Sequence, residues 1–396
     1  MTGTPIHCGY LPLVDSAPLI IAKELNFAAQ EGLNLALSKQ PSWSALRDRL
    51  AFGQIDVAHV LSPMPLAMSL GLSGIQVDID ALMVLSVNGT VIGVSQSLAA
   101  KMQANGWINS FDNPVETARA AISTDAPKLR IGVPFPFSMH RMLVDYWLTQ
   151  DANFDSEKVE VITVPPPQMA DAVREGRLDM FCVGEPWGTV AVQQSEATLV
   201  LPGSAIWQFA PEKVLGARHE WVAENPKTSK ALIRAIYKAT TWLHRSENMP
   251  LAAEILARSQ HLDLPDHAID PALTGRIMTH SSVEPKQTKR FINFHTQSAN
   301  FPWRSQACWI ADRLAQWHDL DLHKTQQSAR DRFRTDLYRN ALAQVGVDMP
   351  GASEKVEGAM KHMTAVASTK GQMILGPDTF FDGKLFDFGT KAVLNN

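Results

Sequence analysis

The chain has 396 residues, of which 45% are hydrophobic and 19% are charged, and its formal net charge is -4. A chain of this length and composition can bury a large core, and it indicates two domains or one large α/β unit. The charge balance excludes the basic surface that nucleic-acid binding requires. The apolar stretches are too short to span a bilayer. We therefore expect a protein that binds neither nucleic acid nor membrane.

Two segments of the sequence show the same order of predicted strands and helices. The first runs from IHCGYLP, through helices at PLIIAKELNF and WSALRDRLAF, to GQIDVAHVLSPMP. The second runs from LRIGVPFP, through helices at MHRMLVDYWLTQ and QMADAVREG, to GRLDMFCVGEPW. Four pairs of residues are each 123 positions apart: Gly9 and Gly132, Gly53 and Gly176, Asp56 and Asp179, Pro63 and Pro186. This spacing predicts an internal repeat of a β-α-β-α-β unit.

Strands that alternate with helices predict parallel sheets with helices on both faces. Ligands of such sheets bind outside the carboxyl ends of the strands. The stretch FCVGEPWG, residues 181–188, is predicted to be a loop of this kind. Gly184 allows close approach of the main chain to a ligand, Pro186 stiffens the loop, and Trp187 provides a flat wall or a hinge contact. The alternative is an ordinary strand exit with Trp187 in the core.

The sequence has no motif that is typical of a catalytic site. Metalloprotease, P-loop, nucleophile-elbow and dinucleotide-binding motifs are absent, and the 12 histidines lack the spacing of metal ligands. Cys8, Cys182 and Cys308 lie among apolar or aromatic neighbours, so we expect reduced cysteines that pack in the core. The sequence predicts a binding protein rather than an enzyme, without a cofactor or a metal.

Several stretches together resemble one family of binding proteins. They are GYLPLVDSAPLIIAKELNF, FPFSMH, FCVGEPW, APEKVLGARHEWVAENPKTSKAL, ANFPWRSQACWIADRLAQW and FFDGKLFD. With the residues between them they cover nearly the whole chain in order, and they are similar to the nitrate and bicarbonate binding proteins of bacterial ABC importers, the NrtA/CmpA family. The resemblance implies an α/β, type II periplasmic-binding-protein-like fold with two α/β lobes around a ligand cleft.

The order of the elements predicts how the chain divides between these lobes. The predicted boundaries are 1–90 with 200–396 for lobe 1, 95–185 for lobe 2, and crossings near 85–95 and 185–200. Gly89, Gly93 and Gly188 are the candidate hinge residues, because they lie in or beside the predicted crossings.

The resemblance also implies a nitrate or nitrite site formed by Trp43, Gln96, His140, Gly184 and Lys213. Nitrate has only acceptor oxygens, so its site needs hydrogen-bond donors and about one positive charge to offset desolvation. Lys213 would provide the charge and Gln96 an amide donor. His140 would provide a ring N–H, and Trp43 an indole N–H or a flat face. Taken alone, each of these residues also fits an ordinary structural role.

One carboxylate and the N-terminus complete the sequence predictions. Glu185 would repel an anion, so we expect it to pair with a cation or a backbone donor. Met1 leads directly into folded-domain sequence without a secretory signal, which predicts a cytoplasmic protein.

The missing signal leads to two alternative functions. Sensors of the NasS type belong to the same family, are cytosolic, and work with an RNA-binding antiterminator of the NasT type. The resemblance therefore implies a nitrate/nitrite sensor that releases such a partner when the anion binds. The alternative is the substrate-binding protein of a nitrate ABC importer. A third hypothesis, an enzyme related to thiamine-precursor synthases, has no supporting cofactor or nucleophile motif.

Overall fold

The structure is a computed structural model that describes residues 3–124 and 128–388. Its strands are β1 (Thr4–Tyr10), β2 (Leu33–Lys39), β3 (Val57–Leu61), β4 (Ile79–Asn88), β5 (Thr90–Ser95), β6 (Leu129–Val133), β7 (Val159–Thr163), β8 (Met180–Gly184), β9 (Ala197–Pro202), β10 (Pro211–Arg218), β11 (Arg276–Ile277), β12 (Lys286–Gln287), β13 (Ile292–Asn293), β14 (Thr364–Ser368) and β15 (Gly371–Leu375).

The helices alternate with these strands in the first half of the chain and predominate after β10. They are α1 (Ala17–Glu24), α2 (Phe27–Gln30), α3 (Trp43–Ala51), α4 (Met64–Ser69), α5 (Gln96–Ala104), α6 (Pro114–Ile122), α7 (Met139–Leu148), α8 (Met169–Arg174), α9 (Trp187–Gln193), α10 (His219–Glu224), α11 (Pro226–Leu243), α12 (Met249–Ala257), α13 (Asp266–Thr274), α14 (Arg304–His318), α15 (Leu322–Arg332) and α16 (Thr335–Ala343). Among the described residues, none of these helices combines the length and apolarity needed to cross a membrane.

Two large sheets carry the fold. The first has the strand order β13-β4-β10-β3-β1-β2, and the second has the order β7-β6-β8-β5-β9. The predicted parallel pairing holds for the repeated strands, since β1 pairs parallel with β2 and β3, and β6 with β7 and β8. It is wrong for β5 and β10, which pair antiparallel with their neighbours. Two successive strands of one sheet can pair parallel only when a long connection returns the chain to the same end of the sheet. The chain enters β5 and β10 from the other sheet, without such a connection.

The internal repeat predicted from the sequence is present in the structure. The carboxylate of Asp56 accepts the backbone N–H of His7 at 2.8 Å, and that of Asp179 accepts the N–H of Arg130 at 3.0 Å. Both members of the second pair lie 123 residues after those of the first. The glycines at the next-to-last positions of β1 and β6 have matching neighbours as well: a side chain on Gly9 would meet Leu46 and Ile55, and one on Gly132 would meet Met169 and Leu178.

The chain passes between the sheets twice. The first passage is at Gly89, between β4 and β5, and lies inside the predicted residue range 85–95. The φ angle of Gly89 is 94°. The second lies at residues 203–210, because β9 still pairs with β5 while β10 belongs to the first sheet. It therefore comes later than the predicted range 185–200. Gly188 lies within α9, where an added Cβ would be 2.3 Å from Val91, so packing rather than a hinge explains this glycine.

The remaining core contains aromatic residues that join the C-terminal segment to the second sheet. Trp207 stacks on Phe380 with ring centroids 4.8 Å apart, and the hydroxyl of Tyr146 donates to Asp382 at 2.9 Å. The three cysteines are free and buried, which confirms the sequence prediction.

Candidate functional site

The two halves of the repeat contact each other at the carboxyl ends of β1 and β8. The N–H of Val14 donates to the carbonyl oxygen of Glu185 at 2.9 Å. The indole Nε1 of Trp187 donates to the carbonyl oxygen of Pro12 at 3.0 Å. Trp187 is thus a contact between the halves, and its partly buried ring also packs against the core. The candidate site lies beside this contact.

Glu185 takes part in no ion pair with the residues that the structure describes. Its Oε2 accepts the backbone N–H of Thr189 at 2.9 Å, which confirms the prediction of a backbone donor. Burial raises the pKa of Glu185 to about 7. This carboxyl group can therefore remain neutral near a bound anion.

A fully buried group of charged side chains surrounds Lys213. Its Nζ lies 2.6 Å from Oδ2 of Asp15 and 2.7 Å from Oε1 of Glu212, and none of the three side chains is more than 2% exposed. The ring of Trp43 lies 5.6 Å from the same Nζ. The positive charge that we expect Lys213 to offer an anion is therefore opposed by two buried carboxylates. The sequence did not show which carboxylates would fold against the lysine.

Two histidines extend this group, one from each half of the repeat. Nε2 of His59 lies 2.9 Å from Oδ1 of Asp15, and Nδ1 of His140 lies 3.3 Å from Oε1 of Glu212. Burial lowers the pKa of both imidazoles, and the nearby charge of Lys213 lowers it further. Both rings are therefore neutral at neutral pH. We call Asp15, Trp43, His59, His140, Glu212 and Lys213 the central cluster.

The net charge of the central cluster depends on Glu212. Burial alone would raise the pKa of Asp15, but Lys213 and His59 hold it well below its usual range. Burial opposes the charge of Lys213, yet Asp15 and Glu212 raise its pKa. Burial raises the pKa of Glu212 to about 7 even though Lys213 acts against the shift. The cluster is thus neutral below about pH 7 and carries one negative charge above it.

An irregularity in β10 explains how consecutive residues reach the same cluster. Side chains of adjacent strand residues normally point to opposite faces. The pairing of β10 with β4 shifts register between Pro211 and Lys213 and again between Lys213 and Val214. Such a shift locally re-aims side chains. Glu212 and Lys213 can therefore contact each other, as their 2.7 Å distance shows.

Four of the five predicted site residues come together. Trp43, His140 and Lys213 belong to the central cluster, and a Cβ added to Gly184 would lie 3.7 Å from Nε2 of His140. Gln96 lies apart from them. It begins α5 beyond the far end of β5, whose first residue pairs with Gly184, so about six residues, or roughly 20 Å of strand, separate it from the site.

The side chain of Gln96 has a local partner instead. Its Oε1 accepts a hydrogen bond from the hydroxyl of Thr198 at 3.1 Å. The residue of β5 that pairs with Gly184 is the buried Thr90.

Sequence reasoning missed Asp15, His59 and Glu212. Asp15 follows β1 at a carboxyl end, which is the location where ligands of α/β sheets bind, so this signal was available. His59 lies within an otherwise apolar strand and is 0% exposed. Glu212 had no signal apart from its proximity to Lys213 in the sequence.

Several buried polar atoms of the central cluster have no hydrogen-bond partner among the described residues. They include Nε1 of Trp43, Nε2 of His140 and Oε2 of Glu212. An indole N–H can only donate, and leaving it unpaired in a buried site costs about 1–3 kcal/mol. A small ligand with acceptor atoms would satisfy Trp43. Within the described ranges, no group of three or more His, Cys, Asp or Glu residues is arranged to hold a metal ion.

Comparison with curated proteins places this geometry in context. The nitrate/nitrite binding protein NrtA of Nostoc sp. is 29% identical over 393 residues, which are 97% of this chain and 83% of NrtA. The nitrate import ATP-binding protein NrtC of Synechocystis sp. is 31% identical over 345 residues. The match covers 86% of this chain but only 50% of NrtC, so the chain spans about half the length of that relative.

Solved structures give the same fold. The periplasmic nitrate-binding protein NrtA from Synechocystis PCC 6803 superposes with a TM-score of 0.83 at 28% identity, covering 97% of this chain and 96% of that one. The alkanesulfonate-binding protein SsuA from Xanthomonas axonopodis pv. citri, at 13% identity and a TM-score of 0.54, shares the fold alone. These neighbours confirm the predicted two-lobe, periplasmic-binding-protein-like architecture. The model of the NMT1-like family matches residues 2–257, more than half of the sequence, and the chain therefore belongs to this family.

Proposed function

We propose that this chain binds nitrate or nitrite at the central cluster, between two lobes built on the two large sheets. The observation that carries the proposal is the buried indole N–H of Trp43, which has no acceptor among the described residues and lies beside Lys213 where the repeat halves meet. Relatives named for nitrate and nitrite binding align with 97% of the chain, which supports the same ligand class.

The chemistry of the central cluster suits a planar acceptor when Glu212 is protonated. The cluster then has no net charge before the anion binds, because Lys213 offsets Asp15. His140 is neutral, and neither of its ring nitrogens has a hydrogen-bond partner among the described residues, so a tautomer with a proton on Nε2 can donate to a ligand. That proton and the N–H of Trp43 would both point to nitrate oxygens. Proton uptake therefore accompanies anion binding.

The protonation state of Glu212 also affects selectivity. Bicarbonate has an O–H group that an ionised carboxylate would accept, whereas nitrate and nitrite have no such donor. A neutral Glu212 consequently favours nitrate and nitrite. We expect these anions to bind and bicarbonate to bind weakly or not at all at pH 6.5.

Calorimetry with nitrate, nitrite, bicarbonate and sulfate at pH 6.5 tests the proposal. Trp43→Phe removes the indole N–H together with part of the ring and should weaken nitrate binding at least about tenfold, since a hydrogen bond to a charged group contributes about 1.5–3 kcal/mol. Gln96→Ala is the matched control, and its nitrate Kd should stay within about twofold of the parent. Tight bicarbonate binding without a nitrate response would overturn the proposed ligand.

The biological output of binding has two candidates. The relatives support a substrate-binding protein of a nitrate importer. The sensor hypothesis shares the binding step and adds a cytoplasmic location and an antiterminator partner of the NasT type, and it rests on the resemblance of the sequence motifs. Mixing the chain with such an antiterminator and measuring complex size with and without nitrate separates the two. A complex that dissociates in nitrate supports the sensor, and absence of a complex supports the importer protein.

A further inference from the structure

A cavity opens where α7 meets the end of α14, outside the central cluster. Its volume is about 370 Å³. Val133 and Thr163, which end β6 and β7, form part of its wall, so it lies at the carboxyl ends of two parallel strands. Sites for small organic ligands typically have volumes of about 300–1,000 Å³, whereas nitrate has only four heavy atoms. The cavity therefore fits a larger ligand than the one proposed for the central cluster.

Arg141 provides a positive charge at this cavity. Its guanidinium carbon lies 5.4 Å from the ring centroid of Trp317, and the side chain is partly buried. In the part of the chain that the structure describes, the guanidinium makes no hydrogen bond and no ion pair. The nearest acid along α7 is Asp145, whose Oδ2 accepts the indole N–H of Trp317 at 3.3 Å. No residue that lines the cavity is acidic.

The rest of the wall is apolar or aromatic. Phe137 is 8% exposed, and its ring centroid lies 5.8 Å from that of His318. Val161 adds an aliphatic surface from β7. Burial lowers the pKa of Arg141, and the charge of Asp145 acts against this shift. One cation beside an apolar wall is complementary to a ligand with one anionic group and an apolar body.

We propose that this cavity binds a small organic monocarboxylate. The planar guanidinium of Arg141 matches the two oxygens of a carboxylate, and the apolar part of the ligand packs against Phe137 and Val161. The site lies outside the central cluster and does not depend on nitrate binding.

Benzoate is the probe, and benzamide is its neutral counterpart of similar shape. Saturation-transfer NMR and fluorescence titration on the full chain should show saturable benzoate binding and at least tenfold weaker benzamide binding. Arg141→Gln should weaken benzoate binding at least about tenfold, because a charge-assisted hydrogen-bond pair is lost. Arg141→Lys keeps the charge without the planar fork and should give an intermediate loss.

Arg313→Gln is the matched control. Arg313 also lies over aromatic rings, 5.8 Å from Trp309, but it is paired with Asp312 at 2.6 Å. Its substitution should leave benzoate binding unchanged, and thermal unfolding checks that each variant is folded. Equal benzoate affinity in the parent and in both Arg141 variants would overturn the proposal. Absence of saturable benzoate binding up to about 10 mM, the weak limit for a ligand of this size, would overturn it too.

Discussion

The two halves of the repeat share one framework and differ where they meet. In both halves an aspartate, Asp56 or Asp179, accepts the N–H of a residue in the first strand. At the carboxyl ends, equivalent positions carry different side chains: Asp15 and Ser138, His59 and Cys182, Leu61 and Gly184. Ser138 caps α7, whereas Asp15 pairs with Lys213.

This difference shows how a repeated fold acquires an asymmetric site. The first half provides the acid and one histidine, and the second provides His140 and the space beside Gly184. Lys213 comes from β10, which lies outside the repeat. The shared positions stabilise the sheets, and the divergent positions determine the chemistry.

The largest expected effect comes from removing the positive charge of Lys213. Lys213→Met would leave Asp15 and Glu212 buried without a cation, so the free energy of unfolding should fall by about 3–5 kcal/mol in urea titrations. Lys238→Met is the control, because Lys238 pairs with Glu31 at 2.8 Å and is 38% exposed. Its loss should cost less than about 1 kcal/mol. Equal losses in the two variants would contradict the central role of Lys213.

Making the second half copy the first should eliminate binding. Gly184→Leu reproduces Leu61, and its Cβ would lie 3.0 Å from Cδ2 of Leu13, with the longer side chain directed among the groups of the site. We expect nitrate affinity to fall more than about a hundredfold in calorimetry, with overpacking costing about 1–3 kcal/mol of stability. Gly176→Ala, at a position with φ of 65° and open space, is a control for glycine replacement away from the site. Retained nitrate affinity in Gly184→Leu would show that the ligand binds elsewhere.

The two buried glutamates at the site, Glu185 and Glu212, should respond differently to pH. Both have a pKa raised to about 7, but only Glu212 contacts Lys213. A raised carboxyl pKa means that the neutral form is favoured, so nitrate affinity should be constant below about pH 6 and fall by up to tenfold per unit above pH 7. Glu212→Gln should remove this dependence, and Glu185→Gln should retain it. A pH profile unchanged by Glu212→Gln would rule out this residue as the titrating group.

The stability of the fold should decrease with rising pH, in the same direction as nitrate affinity. Stability that depends on neutral Glu185 and Glu212 is fully present below the unfolded pKa, about 4.3, and is lost as pH rises through about 7. Thermal midpoints of the two Gln variants should accordingly fall less between pH 5 and pH 8 than the midpoint of the parent.

The smallest expected effect concerns the contact between the halves. Trp187→Phe removes the hydrogen bond to Pro12 and should weaken nitrate binding about fivefold, because about 1 kcal/mol of the contact that holds the two halves together beside the site is lost. Trp107→Phe also removes an indole hydrogen bond, to Thr117 at 3.3 Å, in a segment that lies outside both halves of the repeat. Calorimetry should show no change in nitrate affinity for that control. Equal losses in both variants would indicate a general effect on stability.

Much of the fold was predictable because local patterns recur. The spacing of 123 residues located the repeat, and the alternation of strands and helices gave the parallel β1-β2-β3 and β6-β7-β8 units. The antiparallel strands β5 and β10 were not predictable in the same way, since their direction depends on which sheet the chain enters. Strand β9, which pairs with β5, was not recognised in the sequence. The second passage was therefore predicted too early in the chain.

The candidate site, like the fold, was predictable only in part. The sequence by itself determined the framework, the glycine at 184, the Trp187 contact, and the presence of His140 and Lys213 near strand ends. Tertiary structure alone decided that Asp15 and Glu212 oppose Lys213 and that Gln96 lies at the far end of β5. The physical reason is that burial and charge pairing depend on contacts between residues far apart in the chain. Asp15 and Lys213 are 198 positions apart, yet their charged atoms lie 2.6 Å from each other.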